Sequence, residues 1–410
     1  VNTPLANSVA RHALGWLVAA NVVGVLLAAL LLWPEFNGVL APLTYGRWMP
    51  LHLNWQLYGW CSLPLVGVLC AWMLAPEDEV GTQHAGWALA AWSLALALGG
   101  ASWLAGVTSG KLFLDWSGWA RPLLPLAMTF LWSVLGSRLW VRRRGLTAAA
   151  LSLRVGVLVA LLAVPSVLYW SAGREVYPSV NPDSGGATGA ALLGSTLALV
   201  LIAGGLPLAL GLPRTAGVRA GARWFWSGLI VSCVVFAVVD HGNASHHAWA
   251  QIAALGSLLM WAPLLGVYYR EFAWPASARR WLGAAWFWWA GLLATGWWIF
   301  LPGMSERFKF THVLVAHAHL AMAGVVTSLG GALLVALGRG PGGGAGAFWT
   351  WQGACGVHLA ALTALGVGET ADVAGFFGGA GWVTGWFALR LAAGVAMLAA
   401  SVAWLRKERA

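Results

Sequence analysis

Charge is what this sequence has least of. Only 9% of its 410 residues are Asp, Glu, Lys or Arg, against about 25% in soluble domains, and that shortage excludes a soluble globular fold. Cysteine is scarce as well. The four present, Cys61, Cys70, Cys233 and Cys355, form no CxxC pair and all fall within apolar runs, so they are expected as small core hydrophobes. Strand-period alternation is absent, which excludes a β-barrel and leaves helices as the way to satisfy backbone groups in lipid. The glycine-rich stretch Gly338–Gly346 lacks the Lys and Ser/Thr of a phosphate loop and reads as a cytoplasmic turn. There is no soluble appendage and no long linker. The first apolar run is too long for a signal core and has no clear cleavage site, so we expect a first span, with an initiator methionine removed before Val1.

What is there is apolar. Hydrophobic residues make up 60% of the chain and the mean hydropathy is +0.75. A bilayer needs about 20 apolar residues per helix, and twelve such runs occur, near 13–33, 49–74, 86–107, 121–141, 151–171, 187–212, 223–240, 247–269, 281–302, 310–337, 347–367 and 381–405. The expected fold is all-α: one integral-membrane domain over 1–410, with twelve transmembrane helices. The formal charge of +10 follows from the positive-inside rule. Alternate loops collect sixteen Lys and Arg on the side shared by both termini, Arg219 and Arg409 among them. The other side has six: Arg47, Lys111, Arg121, Arg174, Arg307 and Lys309. Both termini are therefore expected in the cytoplasm, and no nucleic-acid partner is needed. Thirty tryptophans exceed what interfacial belts require, so many should pack between helices.

The most informative stretch is FTHVLVAHAHLAMAG, residues 310–324, which sets His317 and His319 two apart in an apolar run. On a helix that spacing turns about 200°, so the imidazoles leave opposite flanks and suit two separate cofactors better than one metal ion. Intramembrane ionisable residues are functional by default. The topology puts His52, opening the second span, and His241, ending the seventh, at the same outer depth as His312, His317 and His319. Heme fits: neutral imidazole is a common axial ligand, and without CxxCH the hemes would be non-covalent, of b type or a related kind. Arg47, five residues before His52, and His312, about 10 Å outward of His319, suit the propionate side. His12, His84 and His358 lack partners at their depth and are expected to be structural. His246 and His247 are expected as loop or interface residues.

GRWMPLHLNW on the second span and THVLVAHAHLAMAG on the tenth resemble the catalytic subunit of the heme–copper oxidase and nitric oxide reductase superfamily, nearest its cbb3-type and nitric oxide reductase branch. The resemblance runs the full twelve-span length, with AWAQIAALGSLLMWAPLLG on the eighth span its other strong part. It implies that His52 and His319 hold a low-spin heme and that His317 holds a second heme with an open position. It also implies a third metal, copper or non-heme iron, on one histidine of the sixth span and an adjacent pair ending the seventh. No histidine lies between His84 and His241, the pair reads Asp240-His241, and no tyrosine falls in spans six or seven. A three-histidine copper site thus cannot be built in the usual way. Asp240 and His241, with His246 or Glu175, are left as a site for a harder metal such as iron or zinc, or as a hydrogen-bonded remnant.

The expected function is a diheme membrane subunit of a respiratory oxidoreductase in a bacterial or archaeal inner membrane. Its expected partners are membrane lipid and, on the outer face, a cytochrome c-type or other electron-transfer subunit, with quinol a further candidate donor. Two alternatives stand beside it. One is an active nitric oxide reductase or terminal oxidase with a rebuilt metal site. The other is a twelve-helix secondary transporter, against which the acids lie near span ends rather than the midplane.

Overall fold

The computed structural model describes residues 3–215, 220–341 and 344–409. Arg219, Gly342, Gly343 and the side chain of Arg409 lie outside the described residues. Among the described residues, twelve long helices occupy the positions of the twelve apolar runs: α1 (Thr3–Leu32), α2 (Tyr45–Met73), α3 (Glu79–Leu104), α4 (Gly118–Gly145), α5 (Ala148–Ser171), α6 (Gly189–Ala209), α7 (Ala220–Val238), α8 (Trp249–Tyr269), α9 (Ala276–Phe300), α10 (His312–Ala336), α11 (Gly344–Ala371) and α12 (Gly381–Arg409). Eleven are long and apolar enough to cross a membrane. The other, α9, is 25 residues long and carries Trp281, Trp286, Trp288, Trp289, Trp297 and Trp298, whose indoles lower its hydropathy without adding charge. No strand occurs among the described residues, only the isolated bridges Val180–Ala187 and Arg214–Phe272. This is the all-helical architecture of a multi-pass membrane protein.

The chain divides into two compact units. The first comprises Val1–Val176, Leu333–Trp351 and Gly394–Ala410. In it, α1 buries Leu5, Val9, Ala13, Leu17 and Ala20, a stripe at three- and four-residue spacing on one helix face. Small residues let membrane helices approach closely. Tryptophan then fastens helix to helix: the Trp55 indole donates to the Leu96 carbonyl at 3.0 Å and that of Trp132 to Leu158 at 2.7 Å. Each such bond satisfies an indole N–H that would be costly in a dry interior.

The second unit comprises Tyr177–Ala332 and Gln352–Ala393. The same fastening recurs there, from Trp289 to the Trp261 carbonyl at 2.9 Å and from Trp297 to Ile252 at 3.2 Å. Thr311 caps α10 by accepting from the Val313 N–H at 3.2 Å, which satisfies one of the orphan donors of the first turn. A Cβ on Gly366 of α11 would lie 2.3 Å from the Val313 backbone nitrogen, so α11 meets α10 backbone to backbone there. Three of the four cysteines are buried as expected. Cys233 is instead exposed on α7: a helix facing lipid is apolar on both sides, so apolar surroundings in sequence do not distinguish core from rim.

Candidate cofactor-binding histidines

His52 lies in the second turn of α2. Its Nδ1 is 2.9 Å from the Ala20 carbonyl oxygen of α1. A carbonyl only accepts, so Nδ1 carries the proton and Nε2 the lone pair. The ring lies against Gly24, where a Cβ would be 2.8 Å from His52 Cε1.

His319 has the same arrangement. Its Nδ1 is 2.9 Å from the Val315 carbonyl, one turn back on its own helix. His317 reaches it through a hydroxyl: Nδ1 is 2.9 Å from Thr295 Oγ1 on α9, and that hydroxyl spends its hydrogen on the Gly291 carbonyl at 2.8 Å. Thr295 therefore accepts from His317 Nδ1–H. Gly296 makes room for this ring, as a Cβ there would be 3.0 Å from His317 Cε1. The hydrogen-bond network assigns all three imidazoles the same tautomer, with Nδ1 held by an oxygen and the lone pair on Nε2.

Within the second unit His317 and His319 of α10 meet different helices. His317 faces Thr295 of α9, while the His319 ring sits 4.8 Å from that of His358 on α11. That contact corrects the reading of His358 as a residue with no partner at its depth: it is buried beside His319, with Nδ1 3.4 Å from the Arg390 carbonyl. His12 and His84 have local partners, Ser93 Oγ at 2.6 Å and the Trp87 ring.

Both candidate ligand helices change pitch next to their histidines. A π-helical segment runs over Trp55–Cys61, starting three residues after His52, and another over Leu320–Val326, directly after His319. π-Helical turns are uncommon and concentrate at functional sites.

The segment after His52 is tied to the loop between α3 and α4. Asn54 donates to Asp115 Oδ2 at 3.0 Å, and Thr108 Oγ1 donates to Asp115 Oδ1 at 2.9 Å. Asp115 is buried, and burial raises its carboxyl above the usual range, opposed by these two hydrogen bonds. A raised folded pKa contributes stability that is fully present below the unfolded value of about 3.9 and is lost as pH rises through the folded one. The thermal midpoint of the detergent-solubilised protein should therefore fall as pH climbs above about 4, and Asp115→Asn should remove that slope. Equal slopes in both proteins would count against this account.

The residues expected on the propionate side have partners within the chain. Arg47 Nη1 donates to the Leu104 carbonyl at 3.1 Å and lies over Gly106, which adopts φ +86°. The His312 backbone N–H and Nδ1 both meet Glu369 Oε2, each at 3.0 Å. His312 thus already holds a carboxylate, that of Glu369.

Asp240 and His241 are not brought together around a metal position. Asp240 Oδ1 accepts from the Gly242 N–H at 2.8 Å, while His241 Nε2 donates to the Phe236 carbonyl at 2.8 Å. Both residues are exposed. The turn ending α7 spends each side chain on its own backbone. Glu175 is exposed on the rim of a cavity of about 350 Å³ that Arg121 and Arg174 also line.

Sequence reasoning missed a different group. Asp183, His246 and His247 bring ligand atoms within 4.8 Å of one another, and Glu306 Oε1 lies 2.7 Å from His246 Nε2 and 2.9 Å from His247 Nε2. The adjacent histidines were the available signal; the two acids come from segments about 60 residues away on either side. The chain matches no protein-family model and no curated protein.

Proposed function

We propose that this chain is a diheme membrane subunit of a respiratory oxidoreductase, with twelve spans and both termini in the cytoplasm of a bacterial or archaeal cell. The observation that carries the reading is the shared state of His52, His317 and His319. Each has Nδ1 held by an oxygen at 2.9 Å, which makes Nε2 the lone-pair nitrogen that an axial ligand to iron requires. The resemblance of the second and tenth spans to heme–copper oxidases and nitric oxide reductases supplies the roles: His52 and His319 on a six-coordinate heme, His317 on a second heme with an open position. When bound, the hemes would carry electrons and, at the open position, a small ligand.

The residues of the chain bind and orient. Thr295 fixes the ring of His317 from α9, the Ala20 carbonyl fixes that of His52, and Gly24 and Gly296 leave room for the two rings. The outer depth assigned to these histidines favours exchange of electrons on the outer face, with a cytochrome c-type or other electron-transfer subunit as partner and quinol as the other candidate donor. Oxygen or nitric oxide chemistry at a third metal on Asp240 and His241 is disfavoured by the bonds both side chains make to their own turn.

Pyridine hemochrome analysis of the purified chain tests the reading. Non-covalent heme is expected, and its absence would sink the proposal. Thr295→Val keeps the shape of the side chain but removes the acceptor for His317 Nδ1–H. Losing such an outer partner costs about 10- to 100-fold in affinity for a metal centre, so heme loss on dilution should accelerate in this variant and return towards normal in Thr295→Ser. Equal loss rates in Thr295→Val and the parent would remove Thr295 from the account.

A further inference from the structure

We propose that Asp183, His246 and His247, beside the Glu306 carboxylate, form a site for a divalent transition-metal ion of zinc-like chemistry, on the segments that connect the spans of the second unit. It goes beyond the heme reading and does not rest on it. The donors come from three places: the loop before α6, the segment entering α8, and the short helix Met304–Phe308 before α10.

Two adjacent imidazoles, their centroids 4.3 Å apart, turn Nε2 towards the same carboxylate oxygen of Glu306. Without a metal, each Nε2 carries a proton to make that contact. A bound cation takes one lone pair from each imidazole, and each ring proton then sits on the other nitrogen. The surroundings accept either state of His246. Asn181 presents Nδ2 at 3.0 Å and Oδ1 at 3.3 Å to its Nδ1, so the amide donates in one tautomer and accepts in the other.

The site is built rather than accidental in its supports. His246 and Asn181 are both fully buried. Asn181 Oδ1 also accepts from the Asp183 N–H at 3.1 Å. Ser245 Oγ donates to Asp183 and accepts from the His247 N–H. Asn181 and Ser245 thus orient all three residues of the set. Such outer partners are what fix ligand geometry in metal sites.

The donor set selects the ion. Two imidazoles with carboxylate oxygen suit Zn²⁺, whereas Ca²⁺ and Mg²⁺ prefer oxygen throughout. Lys309, a cation on the segment after Glu306, is tied to the Ser184 carbonyl and hydroxyl at 2.8 and 3.1 Å.

The test uses the full chain in detergent, purified through a tag without histidine, stripped with chelator and titrated with ZnCl₂ by calorimetry. One saturable Zn²⁺ per chain is expected, with affinity at least about tenfold weaker in His247→Ala and in Asp183→Asn and unchanged in the double variant Asp240→Ala/His241→Ala. Asp183 is exposed, so its isosteric variant carries the test if the histidine variant fails to fold. No saturable binding by the parent, or equal affinity in parent and Asp183→Asn, overturns the proposal. Heme content, measured on the same samples, reports on the heme reading separately, because Zn²⁺ binding is read whether or not heme is present.

Discussion

If the diheme reading holds, His317→Ala should lower the heme content of the purified chain from about two per chain to about one, and the heme lost should be the one with an open coordination position. The expectation follows from the geometry of one side chain. His317 leaves α10 on the flank towards Thr295, and its Nδ1 is already committed there. Carbon monoxide binding by the reduced protein should vanish together with that heme, while the spectrum of the six-coordinate heme persists. A variant that retained both hemes and full carbon monoxide binding would remove His317 as ligand. If His52→Ala abolished the same signal, the assignment of the two hemes would have to be exchanged.

Gly366→Ala should be strongly destabilising, because the methyl group it adds to α11 meets backbone. Its Cβ would lie 2.3 Å from the Val313 backbone nitrogen and 2.7 Å from Val313 Cγ2. A side chain in that position could rotate away, but a backbone nitrogen cannot. The helices must separate, which also loosens the Glu369 contacts to His312, one turn along α11. Overpacking of this kind costs roughly 3 kcal/mol. Gly353→Ala on the same helix is the control. A Cβ there meets nothing within 4 Å, and the change should be neutral or stabilise by up to about 1 kcal/mol through helix propensity. Thermal midpoints of the two variants in detergent check the contrast; similar midpoints would mean that α10 and α11 are not in backbone contact at this level.

The helices were readable because lipid imposes one rule on every span, about 20 apolar residues with few charges, and each of the twelve apolar runs coincides with a helix. That His317 and His319 meet different neighbours was readable from spacing, since the turn per residue of a helix is fixed. What no local pattern could carry was who meets whom across 30 to 60 residues. His358 beside His319 depends on how α11 lies along α10. The Asp183–His246–His247–Glu306 group depends on three connecting segments converging. The bonds of Asp240 and His241 to their own turn depend on how α7 ends, which apolar periodicity leaves open. Cys233 shows the other limit: in a membrane protein, apolarity marks the inside of a helix bundle and its outer surface equally.

The π-helical segments after His52 and His319 have a consequence for the phase of their helices. Such a segment absorbs an extra residue, so the halves of the helix before and after it are out of register by about the 100° that one residue occupies on an α-helix. Each of these spans is therefore two short rods joined end to end, each free to turn its own face to its own neighbours. The half bearing the histidine can be aimed by the needs of a ligand, while the half beyond Cys61 or Val326 is aimed by the needs of packing. Neither compromises the other, and a single apolar stripe drawn along the whole span would describe neither.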